Sequence, residues 1–314
     1  CLWRLLPLSR GRREGFAHRS QVRTAEGRLV GRQLRAGTLV KAGSAALGAA
    51  VLTGCSADTL AQWGRFGLPE AATDRAPLIG NLWVGSWIAA LVVGVFVWGL
   101  IFWVMIRYRK KTDDHLPQQK HYNLPLELLY TLVPFLIIAV LFFYTVQTQN
   151  GVLAKSPQQD VHTVKVIGQK WSWTFNYMEA DNPAVGAVVH KKGTIDKIPD
   201  LYLPVNKPVR FHLTSADVIH SFWVPAFYFK LDVLPGRENT FDVTPEKLGT
   251  YSGKCAELCG TYHAAMLFTV HVVTEEEYIA YLNELKAAGE VGEIVAPAYP
   301  NTVQSVPASP EEEK

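Results

Sequence analysis

Over two long stretches this 314-residue chain has no charged residue at all: Trp83 to Ile106 is 24 residues without Asp, Glu, Lys or Arg, and Leu128 to Val146 is 19. Apolar residues segregated in this way exclude a simple cytosolic globule, and a hydrophobic content of 48% excludes disorder over most of the chain. Cysteine is scarce, with four in all, and none belongs to a Cys-x-x-Cys-His run, so the sequence has no attachment point for a c-type haem. There is no internal repeat. A sustained charge of one sign is also missing. The formal net charge is +3, but residues 1–41 carry ten Lys+Arg against two acids, and without residues 1–54 the chain has 21 bases and 26 acids. Charge therefore gives no support to a nucleic-acid partner.

The basic N-terminal region leads into a small apolar stretch, Ala42 to Leu52, which closes on Leu52-Thr53-Gly54-Cys55. A basic region, a short apolar core and small residues before a cut site describe a secretory signal. The cysteine placed directly after Thr-Gly resembles a bacterial lipobox. That resemblance implies cleavage before Cys55 and acylation of its sulfur, with residues 1–54 as the leader. The acyl chains add roughly 0.8 kcal/mol of anchoring per buried CH₂. An uncleaved apolar leader with a chance cysteine is the alternative.

Both charge-free stretches match the roughly 20 residues that cross a bilayer as a helix. Trp83 and Trp87 mark one end of the first, and Trp103 with Tyr108 the other, as an aromatic belt would. Between the two lie Arg107, Arg109, Lys110, Lys111 and Lys120 against Asp113 and Asp114. The positive-inside rule places this loop in the cytoplasm. Residues 83–146 are thus expected to form a transmembrane hairpin in the cell membrane, with residues 55–82 and everything after 146 outside. Pro134 falls within the second span, where it removes a backbone donor and predicts a kink. Glu127 stands just ahead of that span, and on its own reads as a solvated interfacial carboxylate.

From about Asp160 to Val273 the pattern changes to short β-branched and aromatic runs separated by Gly, Pro and Asn. Val161–Ile167, Val209–Thr214, Thr240–Val243 and Leu267–Val273 read as strands, and together they predict an all-β sandwich or barrel. Residues 179–200 read as a long exposed excursion. Thr274 with Glu277 forms a capping box that should open a helix running to about Ala288. Residues 147–291 are then one extracytoplasmic domain, and 292–314, rich in Pro, Ala and Ser with a Glu-rich end, a flexible tail.

The strongest signal is Cys255-Ala256-Glu257-Leu258-Cys259-Gly260-Thr261-Tyr262-His263-Ala264-Ala265-Met266. Two thiols, an imidazole and a thioether fall within one short segment, and His220 lies upstream in Asp217-Val218-Ile219-His220-Ser221-Phe222-Trp223. Soft sulfur with imidazole suits copper, zinc or iron–sulfur, and the thioether favours copper. A catalytic metal keeps an open position; so many donors point instead to a closed site suited to electron transfer. A plain Cys255–Cys259 disulfide is the competing reading, since thiols outside the membrane often pair. His212 and His271 lie within expected strands and read as structural.

The span from Trp83 to about Ala288 resembles subunit II of the haem–copper cytochrome c oxidases. The resemblance rests on the two spans, a cupredoxin-like sandwich, Gly168-Gln169-Lys170-Trp171-Ser172-Trp173, the Asp-Val-Ile-His stretch and the Cys-x-Glu-x-Cys-x₃-His-x₂-Met loop. It implies a binuclear copper A centre of two copper ions. Cys255 and Cys259 would bridge them, His220 and His263 would each bind one, and Met266 and the Glu257 carbonyl would complete the set. It further implies that electrons from cytochrome c enter at Trp171, while Trp173 reads as core. Residues 147–314, with 14 bases and 20 acids, would steer a basic donor, and Asp217 would be a docking acid. The Glu257 side chain would reach a magnesium or manganese ion at the border with subunit I, and Glu127 would stand at the mouth of a proton channel. Asp232 and Arg237 match positions facing that subunit.

Haem, oxygen reduction and proton pumping would belong to the partner, and the donor could be diffusible or a cytochrome c domain within a supercomplex. Quinol oxidase subunit II shares the architecture but lacks copper ligands. Nitrous oxide reductase needs a propeller domain that this length cannot hold beside two spans. A thioredoxin-type copper chaperone would show a βαβ pattern, and a structural zinc module is the remaining competitor.

Overall fold

The computed structural model describes residues 57–110, 119–157 and 161–296, with side chains from residue 61 onward, so the leader and Cys55 lie outside the described residues. Three helices come first: α1 (Ala57–Gly64), α2 (Ala76–Arg107) and α3 (Leu124–Val152). Both α2 and α3 are long and apolar enough to cross a membrane, and the strongly apolar stretch of each is left unburied by the rest of the chain. At 32 and 29 residues they run about 48 and 44 Å, beyond the roughly 30 Å of a hydrocarbon core. Only their loop-side ends pass into charged residues, at Arg107 and Glu127. Each starts with proline in its first turn, where the missing N–H has no helical partner to lose. At the start of α3 the Asn123 side chain accepts from the Leu126 amide at 3.4 Å, and Glu127 Oε1 accepts from the Asn123 amide at 2.9 Å. Pro134 sits inside α3 without ending it.

The remainder is a two-sheet sandwich. Its strands are β1 (His162–Gln169), β2 (Ser172–Tyr177), β3 (Val189–Lys192), β4 (Asp200–Pro204), β5 (Val209–Ser215), β6 (His220–Val224), β7 (Phe229–Val233), β8 (Asn239–Val243), β9 (Gly249–Cys255) and β10 (Leu267–Val273). One sheet has the order β3-β2-β1-β5-β8 and the other β4-β10-β9-β6-β7. Strand β5 alternates buried and half-buried residues, as a sheet with one covered face requires. Phe211 and Phe241 from the first sheet stack at 4.9 Å, Phe222 and Phe268 from the second at 4.8 Å, and Trp173 meets Phe268 edge-on at 5.4 Å. Helix α4 (Glu275–Ala287) follows β10 and carries the expected capping box: Thr274 Oγ1 accepts from the Glu277 amide, and the Glu277 carboxylate from the Thr274 amide.

The expected exposed excursion at 179–200 is corrected. Glu179, Val185 and Val189 are buried, and Val189–Lys192 forms β3 on the edge of the first sheet. A carboxylate holds the segment down: Glu179 is joined to His162 at 2.8 Å, Asn182 at 3.1 Å and Tyr278 of α4 at 3.1 Å. Beyond α4 the chain returns along β3, where the His190 amide donates to Glu290 and the Gly292 amide to Val188. Ile294 then exchanges two hydrogen bonds with the Asn176 side chain on β2.

The sandwich is tied to the helical hairpin at polar joints. Arg75, just before α2, donates to the Gly151 carbonyl at 2.6 Å and the Ala154 carbonyl at 3.3 Å, placing a cation at the C-terminal end of α3. Arg210 on β5 forks onto Asp242 on β8 at 2.9 and 2.8 Å, and Asp242 also accepts from the Ser156 amide at 2.7 Å. The Asp242 side chain has no exposed surface.

Burial alone would raise the Asp242 pKa, but the bonds from Arg210 and the Ser156 amide outweigh it and hold the carboxyl below its ordinary value. A depressed folded pKa means stability that is present above the unfolded value, about 3.9, and lost as pH falls through the folded one. Asp242→Ala would strand Arg210 and the Ser156 amide together, at a cost of about 3–5 kcal/mol. Thermal unfolding of the full chain in detergent should therefore show a lower midpoint at neutral pH. The gap between variant and wild type should narrow below about pH 4.

Candidate metal centre

His220 opens β6, and Cys255 ends β9. The two strands are antiparallel neighbours with Phe222 opposite Cys255, and this register brings residues 35 positions apart in the chain to one corner of the sandwich. The loop between β9 and β10 is closed at its base. The Cys255 amide donates to the Met266 carbonyl at 3.0 Å, and the Ala256 amide to Ser221 at 3.0 Å. Within the loop a short 3₁₀ turn, His263–Ala265, directs His263 back toward the cysteines.

Six donors converge as a result. Cys255 Sγ is 3.8 Å from Cys259 Sγ, 3.8 Å from His220 Nδ1 and 3.3 Å from the Glu257 carbonyl oxygen. Cys259 Sγ is 3.5 Å from His263 Nδ1 and 3.7 Å from Met266 Sδ. The ligating atoms of His220, Cys255 and Cys259 all lie within 4.8 Å of one another. Both cysteines are free, so the disulfide reading does not describe this arrangement. His220, Cys255, Cys259 and Met266 are buried, and His263 is half-buried. Soft sulfur and imidazole nitrogen gathered without a lysine or arginine among them form a donor set that fits copper.

Several neighbouring groups fix this geometry. Asp217 Oδ1 lies 2.8 Å from His220 Nε2 and accepts from the Val218 amide at 2.6 Å, while its second oxygen accepts from the Lys170 amide at 2.7 Å. A carboxylate on one ring nitrogen leaves the other free for a metal and sets the ring's orientation. Asp217 is held below the ordinary carboxylate range; burial pushes it up, but the Lys170 and Val218 amides and His220 pull it further down. Behind His220 runs Gly168, where a Cβ would stand 3.0 Å from the imidazole Cδ2, so the ring has room only against glycine. Trp173 is wholly buried and meets His220 edge-on at 6.1 Å.

Trp171 is half-buried at the rim of the loop. Its ring faces Gly260, where φ is +124° and a Cβ would come within 3.2 Å of the indole nitrogen, so glycine serves both the turn and the contact. Tyr262 meets Trp171 edge-on at 4.9 Å. Gly168 and Tyr262 lie within the segments singled out in the sequence, but their contacts with His220 and Trp171 are created only by the fold. Glu257 gives its carbonyl to the cluster while its side chain is exposed. Asp232 lies on β7 and Arg237 in the turn after it, both exposed. Glu127 belongs to the start of α3, not to this cluster. His212 and His271 pair with Glu238 at 2.7 Å and Asp200 at 3.1 Å.

The two thiols are unequal in the metal-free chain. Burial works against ionising Cys255, but hydrogen bonding from His220 and neighbouring backbone brings it down to about 6. Cys259 is pushed up to about 12 by burial and then by the charge on Cys255. Titration of thiolate absorbance on the metal-free chain, taken as the difference from a Cys255→Ser, Cys259→Ser variant so that Cys1 and Cys55 cancel, should accordingly give one thiolate at about pH 8, where two ordinary thiols of pKa about 8.5 would each be partly ionised. The second should not ionise within the range where the fold survives.

Comparison with known proteins gives a consistent picture. Residues 162–273 match the periplasmic-domain family of cytochrome c oxidase subunit II, and residues 61–148 match its transmembrane-domain family. A probable cytochrome c oxidase subunit 2 of Streptomyces coelicolor is 43% identical over 290 residues, covering 82% of this chain and 90% of its own length. One from Nocardia farcinica is 39% identical over 333 residues, covering 88% of this chain and 86% of itself. The cytochrome c oxidase subunit 2 of Mycobacterium bovis is 39% identical over 298 residues, covering 77% and 80%.

Proposed function

This chain belongs to the cytochrome c oxidase subunit II family, and on that premise we propose that it takes single electrons from cytochrome c at a binuclear copper centre and delivers them to haem in subunit I. It is a membrane protein whose sandwich domain lies outside the cytoplasm. The observation that carries the reading is the convergence of two thiols, two imidazole Nδ1 atoms, a thioether and a carbonyl at one corner of that domain.

Cys255 and Cys259 would bridge two copper ions, with His220 and His263 as one ligand to each and Met266 and the Glu257 carbonyl completing the set. Bound there, copper supplies one-electron redox chemistry with little change of geometry. The chain's own part is preorganisation. The loop is pinned at its base, Asp217 and Gly168 fix the His220 ring, and Trp173 with the buried sulfurs keeps water away from the donors. Trp171 would be the point where electrons enter, since its half-exposed indole touches the loop at Gly260 between the two cysteines and His263. Asp217 would be a docking acid in this scheme, its two oxygens at the same time holding three internal contacts.

The Glu257 side chain would meet magnesium or manganese shared with subunit I, and Glu127 would stand at a proton channel in that subunit. Oxygen reduction to water and its coupling to proton pumping would take place in the partner. Acylation at Cys55 would add a lipid anchor to the two spans.

The test is kinetic, in the assembled oxidase. Trp171→Phe should slow electron uptake from reduced cytochrome c by about tenfold or more, equivalent to about 1.4 kcal/mol of barrier. The visible spectrum and copper content should stay as in wild type. An unchanged uptake rate would remove Trp171 from the path, and a changed spectrum would make its role structural. Cys259→Ser should abolish copper retention while leaving the helical hairpin in the membrane.

A further inference from the structure

The metal centre does not account for α1. This short helix ends in a locked turn: the Arg65 and Gly67 amides both donate to the Gln62 carbonyl, at 3.1 and 3.0 Å, and the Phe66 amide to Trp63 at 3.0 Å. Phe66 and Gly67 are left-handed, with φ of 50° and 85°, and Arg65 Nε donates to the Leu68 carbonyl at 3.2 Å. The turn is seated on the side of α2. The Phe66 ring stacks on Trp87 at 5.8 Å with the planes 2° apart, Trp83 meets Trp87 edge-on at 5.8 Å, and the Trp83 indole N–H donates to the Phe66 carbonyl at 3.2 Å.

Trp83 and Trp87 stand seven and eleven residues past Ala76, about 10 and 16 Å along the helix axis. Arg75 is the last charge before α2 and residues 76–106 carry none, so both tryptophans stand inside the charge-free run, near its outer end. Trp63, in the last turn of α1, is 72% exposed and makes no ring contact with the cluster. A large apolar ring with a single N–H is poorly placed in water and well placed at the boundary between headgroups and acyl chains. The chain after this turn goes the other way, to the sandwich. Tyr228 donates to the Pro69 carbonyl, Lys247 pairs with Glu70, and the Ala72 amide donates to Ala226 at 3.0 Å.

We propose that α1 and its aromatic turn lie in the outer leaflet at the headgroup–acyl boundary, with Trp63 entering the lipid and a phospholipid surface as the partner. The surface is continuous with the lipid-facing side of α2, to which Phe66, Trp83 and Trp87 join it. Residues 57–76 then act as a strap with one end in the membrane and the other on the sandwich, a third tie besides the two spans. The assignment requires that α2 crosses the membrane; it is independent of the copper chemistry and of the electron donor.

The experiment uses the full chain in phospholipid nanodiscs with 5-fluorotryptophan in place of tryptophan. Trp63→Phe identifies the Trp63 fluorine resonance by its loss. A nitroxide carried high on the lipid acyl chain should broaden the Trp63 resonance, and a water-soluble gadolinium chelate should leave it sharp. Phe66→Ala should reverse that pattern at Trp63 while Trp98, deep in the span, stays broadened by the lipid probe only; this control shows that the hairpin is still inserted. Broadening of Trp63 by the chelate in the wild-type chain would overturn the proposal, as would protection from both agents. Loss of lipid contact in the assembled oxidase would assign the face to a neighbouring subunit and overturn it as well.

Discussion

The hydrogen bond from the Cys255 amide to the Met266 carbonyl is the constraint on which the metal centre depends. It makes the ends of the ligand loop the last pair of the β9–β10 ladder, whose register continues with Lys254 opposite Leu267. Five of the six donors belong to the segment that begins at Cys255 and ends at Met266. Fixing both ends gives the loop little freedom, and the entropy of ordering it is met by folding rather than by metal binding. His220 enters the same corner because β6 pairs with β9. The site is therefore an extension of sheet register, which is why soft donors separated in sequence are held within a few ångströms of one another.

Much of this was legible in the residues. The two charge-free stretches announce membrane-crossing helices by length alone. The Cys-x₃-Cys-x₃-His-x₂-Met run announces a metal because all four side chains lie in one short segment. Strand β10 was legible at both ends, since β-branched residues run from the loop to the Thr274 cap. What stayed hidden depended on long-range pairing. Residues 179–200 look polar and loop-like, but their place in the fold is decided by Glu179, whose burial is compensated by His162 and Tyr278 from distant elements. A composition reading cannot foresee that compensation. Asp217 was visible as an acid near His220, but its bonds to His220 and to the amide ahead of Trp171 required the fold.

Those two Asp217 contacts also link the parts of the site. One carboxylate orients the His220 imidazole and fixes the backbone leading into Trp171, so the proposed entrance for electrons and the proposed ligand sphere share a support. The joints toward the membrane work in the same way. Arg75 caps the end of α3 and Asp242 gathers Arg210 and Ser156, and each uses a charge-assisted bond where a helix or strand meets a connecting segment. The proposed delivery of electrons to a partner in the membrane would need the sandwich domain at a fixed height and angle, and these polar joints suit that requirement better than apolar packing, which is less directional.

The central claim is that the cluster holds two coppers as one electronic unit. The most direct measurement is electron paramagnetic resonance with visible spectroscopy and copper analysis on the copper-loaded full chain. The account predicts two coppers per chain, a purple colour and a single unpaired electron shared equally by both ions. One copper with a blue or featureless spectrum, or colourless zinc held in its place, would contradict it.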